Sequence, residues 1–244
     1  MQLIQVINPN TSIEVTKIIN QTTKKVKLNN IDITVVSPTK GGVSSIEGSF
    51  DGIIAAMSVL DQVKLGRLQG VLGHVIACFG DPGLIAAREI SVRPVIGMAE
   101  AAMHVATFVS TRFSIITTLP RTLIIIKQLL HQYGFMQHCA AIHDINFSVL
   151  ELAKNKEQAY QKIIKCCMKA KNNDGIGAII LGCAAMSNLA PLLTEELQIP
   201  VIDGIIAAIN MVELLNKLSL GISKYGDLDF PSYKKLSGIF QHLS

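Results

Sequence analysis

Short apolar runs alternate with amphipathic stretches along the whole chain. The apolar runs have the length of β-strands and contain few polar residues, which is typical of strands in a parallel sheet that is buried on both faces. They lie at residues 2–7, 31–36, 71–77, 113–118, 139–143 and 176–181. Helical patterns follow at about residues 11–25, 50–65, 120–133, 160–171 and 206–218, and also from about residues 82 and 188. This alternation predicts an α/β fold with parallel sheets covered by helices.

Two segments share the same order of features around a cysteine. Residues 75–82 and 179–187 each contain an apolar run, then Cys78 or Cys183, then small or turn-forming residues before a helical pattern. A Pro-Val-Ile run starts 16 residues after Cys78 and 17 residues after Cys183, and an alanine-rich amphipathic stretch follows each run. Internal repetition of this kind predicts two similar structural units. We therefore expect two pseudo-symmetric lobes, each a mainly parallel sheet flanked by helices.

The repeat also predicts how the chain divides. We expect residues 1–97 to form the first lobe and residues 98–206 the second, with a helix in residues 207–244 returning to the first lobe. Ligands of open parallel sheets bind beyond the carboxyl ends of the strands, and both cysteines follow such an end. Cys78 and Cys183 are therefore expected to face each other across a cleft between the lobes, which would be the active site.

Local patterns predict where several helices begin. The predicted N-caps are Thr11 (in a capping box with Glu14), Asp81 (before Pro82) and either Ser187 or Asn188. A helix that begins at Pro82 would place its free N–H groups near the Cys78 thiol. Such groups stabilise a thiolate and lower the pKa of the thiol.

The composition argues against several classes of function. Of the 244 residues, 49% are hydrophobic and 16% are charged, which is typical of a well-packed globular protein. A net charge of +4, brief lysine clusters such as residues 24–27 and the absence of tryptophan argue against nucleic acid binding. Residues 175–193 carry no charge but include three glycines and Pro191, so a buried strand and turn is expected there and no membrane span. Low charge and high apolar content also favour a homo-oligomer, although a large buried core would explain the same composition.

The cysteine count bears on location. The first residues lack the basic region and the cleavage site of a signal peptide. Five cysteines is an odd number, which favours free thiols in a reducing compartment over a disulfide framework. We therefore expect a cytoplasmic protein.

A facing pair of thiols has the parts needed to invert a stereocentre. One thiolate removes a proton from a carbon acid, and a thiol on the opposite face returns a proton to the planar enolate. The enolate oxygen needs hydrogen-bond donors, and the N–H groups after each cysteine and the hydroxyls of Thr117 and Thr118 are available. This chemistry needs no metal and no organic cofactor, and we expect neither.

The alternative interpretation is that Cys78 and Cys183 are core thiols, because free cysteine packs as a small hydrophobe. Their equivalent positions at two strand ends favour a functional role. Cys139 and the pair at residues 166–167 are interpreted as structural, and the histidines lack the spacing of metal ligands. Asn8 and Glu47 lie in loops at predicted strand ends, where capping and substrate contact are equally good interpretations.

Several motifs together resemble the aspartate/glutamate racemase superfamily, and specifically its hydantoin and allantoin racemase branch. The matching stretches are residues 6–12, 45–48, 76–83, 97–103, 113–122, 180–183 and 200–204, with Met186. The resemblance covers nearly the whole chain. It implies two α/β lobes and cofactor-independent racemisation at C5 of a hydantoin ring, with Cys78 and Cys183 as the acid/base pair. The candidate substrate contacts, with two loop residues included, are Asn8, Ser44, Glu47, Phe79, Gly80, Thr117, Thr118 and Ala184.

Within that branch, residues 74–79, 122–125 and 131–135 look most similar to the allantoin racemases. The resemblance therefore favours allantoin as the small-molecule substrate, with a role in purine degradation, and 5-substituted hydantoins are the alternative. One departure is Ala184-Ala185, because the family usually carries glycine directly after the second cysteine. The added methyl group would narrow the pocket, or would indicate ordinary backbone angles at this position.

Three rival functions remain for the same scaffold. Amino-acid racemases usually follow their cysteines with Thr or Asn-Thr, whereas Phe79 and Ala184 offer nothing to an ammonium or carboxylate group. A decarboxylase of the superfamily needs only one thiol. A regulatory protein that binds hydantoins without exchanging a proton belongs to a different class, and the fold alone does not exclude it. The two intact cysteines argue against the decarboxylase and against the regulatory protein.

Overall fold

The computed structural model describes residues 2–26, 28, 30–39, 41–238 and 241. Lys27, the last residue of the predicted lysine cluster at residues 24–27, lies outside the described residues.

The first half of the chain forms a four-stranded parallel sheet. Its strands are β1 (Gln2–Ile7), β2 (Ile31–Val36), β3 (Gly73–Ile76) and β4 (Val95–Gly97), in the order β2-β1-β3-β4. Its helices are α1 (Ile13–Thr23), α2 (Ser49–Leu68) and α3 (Leu84–Glu89). The strand order places β1 and β3 in the centre of the sheet, so their carboxyl ends lie side by side.

The second half builds a sheet with the same connectivity. The strands are β5 (Phe113–Thr117), β6 (Cys139–Asp144), β7 (Ala178–Leu181) and β8 (Val201–Ile202), in the order β6-β5-β7-β8. The helices are α4 (Met98–Val109), α5 (Leu123–Gln132), α6 (Val149–Lys154), α7 (Lys156–Asn173), α8 (Ala190–Leu197) and α9 (Gly204–Lys217). Two 3₁₀ helices, Pro120–Thr122 and Ala184–Leu189, complete it. The predicted fold of two similar α/β lobes is confirmed.

Most strands are buried along their whole length. Strands β3, β4, β5, β7 and β8 are buried at every residue, whereas β1 is exposed at its first residue and β2 and β6 are partly exposed. The fully buried strands contain only a few polar residues, such as His74 and Ser114, which is typical of parallel strands that are covered on both faces.

The last helix of the second half packs on the first sheet. Asn216 on α9 donates from its side-chain amide to the carbonyl oxygen of Leu72, beside β3, at 3.2 Å. Gly73 on β3 lies against Val212 of α9 so closely that an added Cβ would be 2.6 Å from a valine methyl group. These contacts support the predicted return of the chain to the first lobe. The division into lobes, with boundaries at residues 97 and 206, stays a prediction.

Three predicted helix starts were wrong. Ser12, and not Thr11, caps α1, because its hydroxyl accepts the N–H of Val15 at 3.2 Å, while the Thr11 hydroxyl donates to the carbonyl of Val43. After Cys183 the chain enters a 3₁₀ helix at once, so neither Ser187 nor Asn188 begins the next helix.

The third error concerns Asp81. Helix α3 begins at Leu84, with Gly83 in the N-cap position, so Pro82 is not its first residue. Asp81 itself has a left-handed backbone, with φ of 41°, which is uncommon for a residue with a side chain. Its carboxylate instead accepts the N–H groups of Ala99 and Glu100 at 3.1 and 3.0 Å. Asp81 therefore caps α4, which begins at Met98, 16 residues after the predicted helix start at Pro82.

The starts of α4 and α9 touch each other where the two lobes join. An added Cβ on Gly204 would lie 2.3 Å from the carbonyl oxygen of Met98. We expect Gly204→Ala to destabilise the protein by about 1–3 kcal/mol, because the backbone must move to relieve this overlap. The measurement is the free energy of unfolding in urea.

Gly52 provides the matched control for that substitution. It lies in α2, and an added Cβ would meet nothing within 4 Å. Gly52→Ala should raise the free energy of unfolding by about 0.5–1 kcal/mol, the helix propensity difference. An equal effect of the two substitutions would contradict the tight junction at Met98.

Candidate active site

Both cysteines follow a central strand of their sheet at an equivalent position. Cys78 comes two residues after the end of β3, and Cys183 comes two residues after the end of β7. They line one cavity between the lobes, which spans about 590 Å³ including its opening to solvent. Its other lining residues are Asn10, Val15, Ile46, Ala77, Phe79, Gly80, Thr117, Thr118, Thr122, Ile125, Ile126, Val149, Gly182, Ala184 and Ala185.

Each thiol receives one backbone N–H from the residue two positions further along the chain. The N–H of Gly80 donates to Cys78 and the N–H of Ala185 donates to Cys183, and each bond lowers the pKa of its thiol. Burial has the larger effect, and it raises the pKa of Cys78 to about 12 and that of Cys183 to about 11. The N–H of Gly80 thus lowers the pKa of Cys78 in the predicted direction, but burial outweighs it and the net shift is upward.

The two thiols also influence each other. The negative charges of Asp81 and Cys183 raise the pKa of Cys78 further, after burial, and that of Glu47 raises the pKa of Cys183. Because two anions in one apolar cavity repel each other, the arrangement favours at most one thiolate at a time.

Three threonines supply hydroxyl groups on the second-lobe side. Thr117 and Thr118 are buried at the end of β5 and line the cavity, as predicted. The hydroxyl groups of Thr117 and Thr122 lie 3.0 Å apart, and Thr122 also donates to the carbonyl of Leu119 at 2.7 Å. Thr122 was not predicted as a site residue. It belongs to the 3₁₀ helix that carries the chain out of the cleft.

Asn8 is buried beneath the site and does not line the cavity. Its side-chain amide donates to Asn10 Oδ1 at 3.1 Å and to Thr16 Oγ1 at 2.9 Å, and its Oδ1 accepts the N–H of Asn10 at 3.3 Å. Asn10 lines the cavity, and its Oδ1 also accepts the N–H of Ser12 at 2.9 Å. With that oxygen engaged by two donors, Asn10 has its Nδ2 hydrogens left as donors for the cavity.

Both asparagines belong to the Asn-Pro-Asn motif. In the sequence they differ only in their distance from the end of β1, although one is buried beneath the site and the other lines the cavity. Asn8 directly follows β1 and points into the start of α1, whereas Asn10 lies two residues nearer to the helix. The sequence could therefore have identified Asn10 as an equal candidate.

The two loop residues among the predicted contacts lie outside this cavity. Ser44 is exposed, and Glu47 is partly exposed and binds the Asp51 carboxylate through its backbone N–H at 3.0 Å. Their neighbour Ile46 is the loop residue that lines the cavity. Phe79, Gly80 and Ala184 line it as predicted.

Ala184 adopts a backbone conformation that any residue can take. It is absent from the residues with positive φ, so alanine replaces the usual glycine there without backbone strain. The methyl groups of Ala184 and Ala185 face the same cavity, and both residues are buried.

A second groove continues from the cavity. It shares Ile46, Gly80 and Ile125 with the first and runs between the start of α2, the loop before α3 and the length of α5. Isoleucine, leucine and alanine side chains of these elements make much of its wall.

No group of three His, Cys, Asp or Glu side chains in the described part of the chain could hold a metal ion. Among the same residues, no helix is long and apolar enough to cross a membrane. All five cysteines are free thiols.

Comparison with known proteins assigns the chain to a family. The family model of the Asp/Glu/Hydantoin racemases matches residues 4–212. Hydantoin racemase of Rhizobium meliloti is 40% identical over 96% of this chain and 97% of its own length. The chain belongs to the Asp/Glu/Hydantoin racemase family and is an isomerase.

Solved structures agree with this assignment. Allantoin racemase from Klebsiella pneumoniae is 58% identical, with a TM-score of 0.98 over 100% of this chain and 99% of that chain. Allantoin racemase from Pseudomonas fluorescens is 31% identical, with a TM-score of 0.92 over 97% of this chain and 100% of that chain. An aspartate racemase homologue from Pyrococcus horikoshii, at 15% identity and a TM-score of 0.65, shares the fold.

The raised thiol pKa values give a testable pH dependence. Because alkylation requires the thiolate, iodoacetamide should modify Cys78 and Cys183 slowly at pH 7, and the rates should still be rising above about pH 9. Mass spectrometry of the separate cysteine peptides measures each rate. The control is the chain unfolded in urea, where the same thiols should titrate near about pH 8.5. An inflection below about pH 8 in the folded protein would contradict the effect of burial.

Proposed function

We propose that this protein racemises allantoin by transferring a proton between C5 of the hydantoin ring and two thiols, Cys78 and Cys183. The observation that carries the proposal is the position of these two thiols at equivalent strand ends in one cavity between the lobes. The family assignment supports the reaction type, and the site supports the two-thiol mechanism.

The proton balance follows from a thiol on each side of the ring. The thiolate of one cysteine takes the C5 proton, and the electron pair of the broken C–H bond moves into the ring as an enolate. The thiol of the other cysteine then gives its proton to C5 from the opposite face. After one turnover the configuration at C5 is inverted and the two cysteines have exchanged protonation states. No electron is transferred and no further reactant is consumed.

The enolate oxygen would be bound by donors that already face the cavity. We assign this role to the Thr118 hydroxyl and to the side-chain amide of Asn10. The Thr117 hydroxyl would join them by turning its hydrogen from Thr122 Oγ1 to the substrate. The backbone N–H groups of Phe79 and Ala184 would bind the ring amides. Donors fixed in place before the reaction stabilise developing charge at no cost in reorganisation.

The raised pKa values of both thiols define what must precede the reaction. Since burial keeps both thiols protonated at neutral pH, the thiol that acts as the base must first give its proton to solvent water. The N–H groups of Gly80 and Ala185 stabilise the sulfur anion once it forms. A thiolate with a high pKa is also a strong base, which suits the removal of a proton from carbon.

Allantoin is favoured over other hydantoins by the 58% identity to the Klebsiella allantoin racemase. The hydantoin racemase of Rhizobium meliloti, at 40% identity, supports 5-substituted hydantoins as a second candidate substrate class. The apolar groove that continues from the cavity favours that second candidate, because it could hold an apolar group on C5. Purine degradation, cytoplasmic location and homo-oligomerisation stay predictions.

The first test follows the optical signal of single-enantiomer allantoin in deuterated buffer. The wild-type protein should abolish the signal and place deuterium at C5. Cys78→Ser and Cys183→Ser should each lose racemisation by about 10²-fold or more, the size of a general acid or base contribution. Each of these variants is expected to retain proton exchange from one face, detected by NMR as deuterium at C5 without inversion.

Cys139→Ser is the matched control, because this thiol lies at the edge strand β6, away from the cavity. It should racemise allantoin at the wild-type rate. If the wild type ignores allantoin but racemises a 5-alkyl hydantoin, the substrate assignment is wrong and the mechanism stands. A protein that exchanges no hydantoin C5 proton would be a binding protein.

A second test concerns Asn10. If its amide donates to the enolate, Asn10→Ala should lower kcat/KM by at least about tenfold, the value of one hydrogen bond to a charged group. Asn20→Ala, on the exposed face of α1, is the control and should leave kcat/KM unchanged. Equal activity of the two variants would remove Asn10 from the site.

A further inference from the structure

Each lobe buries one carboxylate that the proposed proton transfer does not use. Asp81 is three residues after Cys78 and 5% exposed, and Asp203 directly follows β8 and is 6% exposed. Burying a carboxylate is costly unless hydrogen bonds compensate, so the contacts of both residues need an explanation.

Asp81 ties the loop that carries Cys78 to two elements outside it. Its backbone N–H donates to the Cys78 carbonyl at 3.0 Å, which makes a tight turn directly after the thiol. Its carboxylate accepts three donors: the N–H groups of Ala99 and Glu100 at the start of α4, and the hydroxyl of Tyr133 at the end of α5, at 3.0 Å.

The fit around this carboxylate is close. An added Cβ on Gly97 would lie 2.3 Å from the Asp81 carboxylate, so only glycine fits at the end of β4. The charged groups nearest to this site are Glu100 and, bonded to it, Arg88. Arg88 balances Glu100, which leaves the Asp81 carboxylate to be held by its three donors.

Asp203 lies at the corresponding junction in the second lobe, but the carboxylate is here on the residue before the helix and not on the cysteine loop. It stands three residues after Pro200, as Gly97 stands three residues after Pro94. Its Oδ1 accepts the N–H of Ile205 at 2.9 Å and so caps α9. Its Oδ2 is buried and directed at the loop that carries Cys183.

Ser187, four residues after Cys183, is the partner on that loop. Burial raises the pKa of Asp203 to about 6, and the N–H of Ile205 and then the Ser187 hydroxyl act in the lowering direction. Ser187 Oγ and Asp203 Oδ2 are both buried without another hydrogen-bond partner, and Ser187 is near enough to lower the pKa of the Asp203 carboxyl.

We propose that Asp81 and Asp203 are a reciprocal pair of positioning residues, each holding one cysteine loop against the start of the helix that follows the outer strand. In the first lobe the carboxylate lies on the cysteine loop and reaches the helix. In the second lobe it lies at the helix and reaches the cysteine loop. The role of the thiols in this inference rests on the proposed function, whereas the effect on each loop does not.

The donors around each carboxylate predict which substitutions are tolerated. Asparagine at position 81 has one acceptor oxygen for three donors, so its amide would face an N–H or hydroxyl group. Asparagine at position 203 keeps an oxygen for Ile205 and offers an amide hydrogen to Ser187. Asp81→Asn should therefore be disruptive, whereas Asp203→Asn should rescue what Asp203→Ala loses.

The experiment measures the alkylation rate of each cysteine by iodoacetamide in the full-length protein, resolved by mass spectrometry of the peptides. In Asp81→Asn, Cys78 should react at least about fivefold faster, the equivalent of one lost hydrogen bond, while Cys183 is unchanged. In Asp203→Ala, Cys183 should become faster and Cys78 should be unchanged. Asp203→Asn should restore the slow reaction of Cys183.

Turnover and a buried thiol separate positioning from general loss of structure. Racemisation should be slower in Asp81→Asn and Asp203→Ala although one thiol has become more reactive, because a displaced thiol no longer meets C5. Cys167 is fully buried in the second lobe and should stay unreactive in every variant. Tyr133→Phe removes one of the three donors to Asp81 and should give a smaller change at Cys78 alone.

Two results would overturn the proposal. One is that Cys78, Cys183 and Cys167 all become reactive in the same variant. That result would indicate general unfolding and would contradict a separate effect on each loop. The other is that neither active-site thiol changes in any variant. The loop-specific pattern without racemisation of allantoin or any 5-substituted hydantoin would support the positioning pair and reject the proposed function.

Discussion

The contact between the starts of α4 and α9 holds the two lobes together at the base of the cleft. Gly204 lies against the carbonyl oxygen of Met98, with no room for a side chain between them. Each of these helices begins where an outer strand ends, and each start is capped by a buried carboxylate. Asp81 belongs to the Cys78 loop, and Asp203 is proposed to hold the Cys183 loop, so the spacing of the lobes and the placement of the thiols would depend on one close-packed junction.

The site combines two opposing demands on the thiols. The apolar walls exclude water, which strengthens hydrogen bonds to an enolate but raises the pKa of both thiols. The polar groups are few and placed at the carboxyl ends of strands, where Thr117, Thr118 and the N–H groups after the cysteines project into the cavity. A small, mostly apolar site with fixed donors suits a reaction that moves only a proton.

Much of this architecture could be predicted from the sequence, because the buried strands contain few polar residues and the cysteine segments repeat. The errors have a common physical origin. The Asp81-Pro82 pair has the local pattern of a helix start, but the donors that Asp81 binds belong to residues 99 and 100 and to Tyr133, which only the fold brings near. Asn8 and Asn10 belong to one motif, but the Asn8 side chain points into the start of α1 and Asn10 lines the cavity. Thr11 and Ser12 are both suitable N-caps, but only the Ser12 hydroxyl accepts an N–H of α1. Such outcomes depend on three-dimensional neighbours that no local pattern contains.

The left-handed backbone of Asp81 has a consequence for how this protein can change under selection. A residue with a side chain in that conformation costs on the order of 1 kcal/mol, and glycine would remove the cost. Glycine would also remove the carboxylate that caps α4 and anchors the turn after Cys78. In a laboratory evolution experiment, a glycine at position 81 would thus be tolerated only in variants that already carry another residue that caps α4. This makes position 81 a site where the order in which mutations arise determines which of them survive.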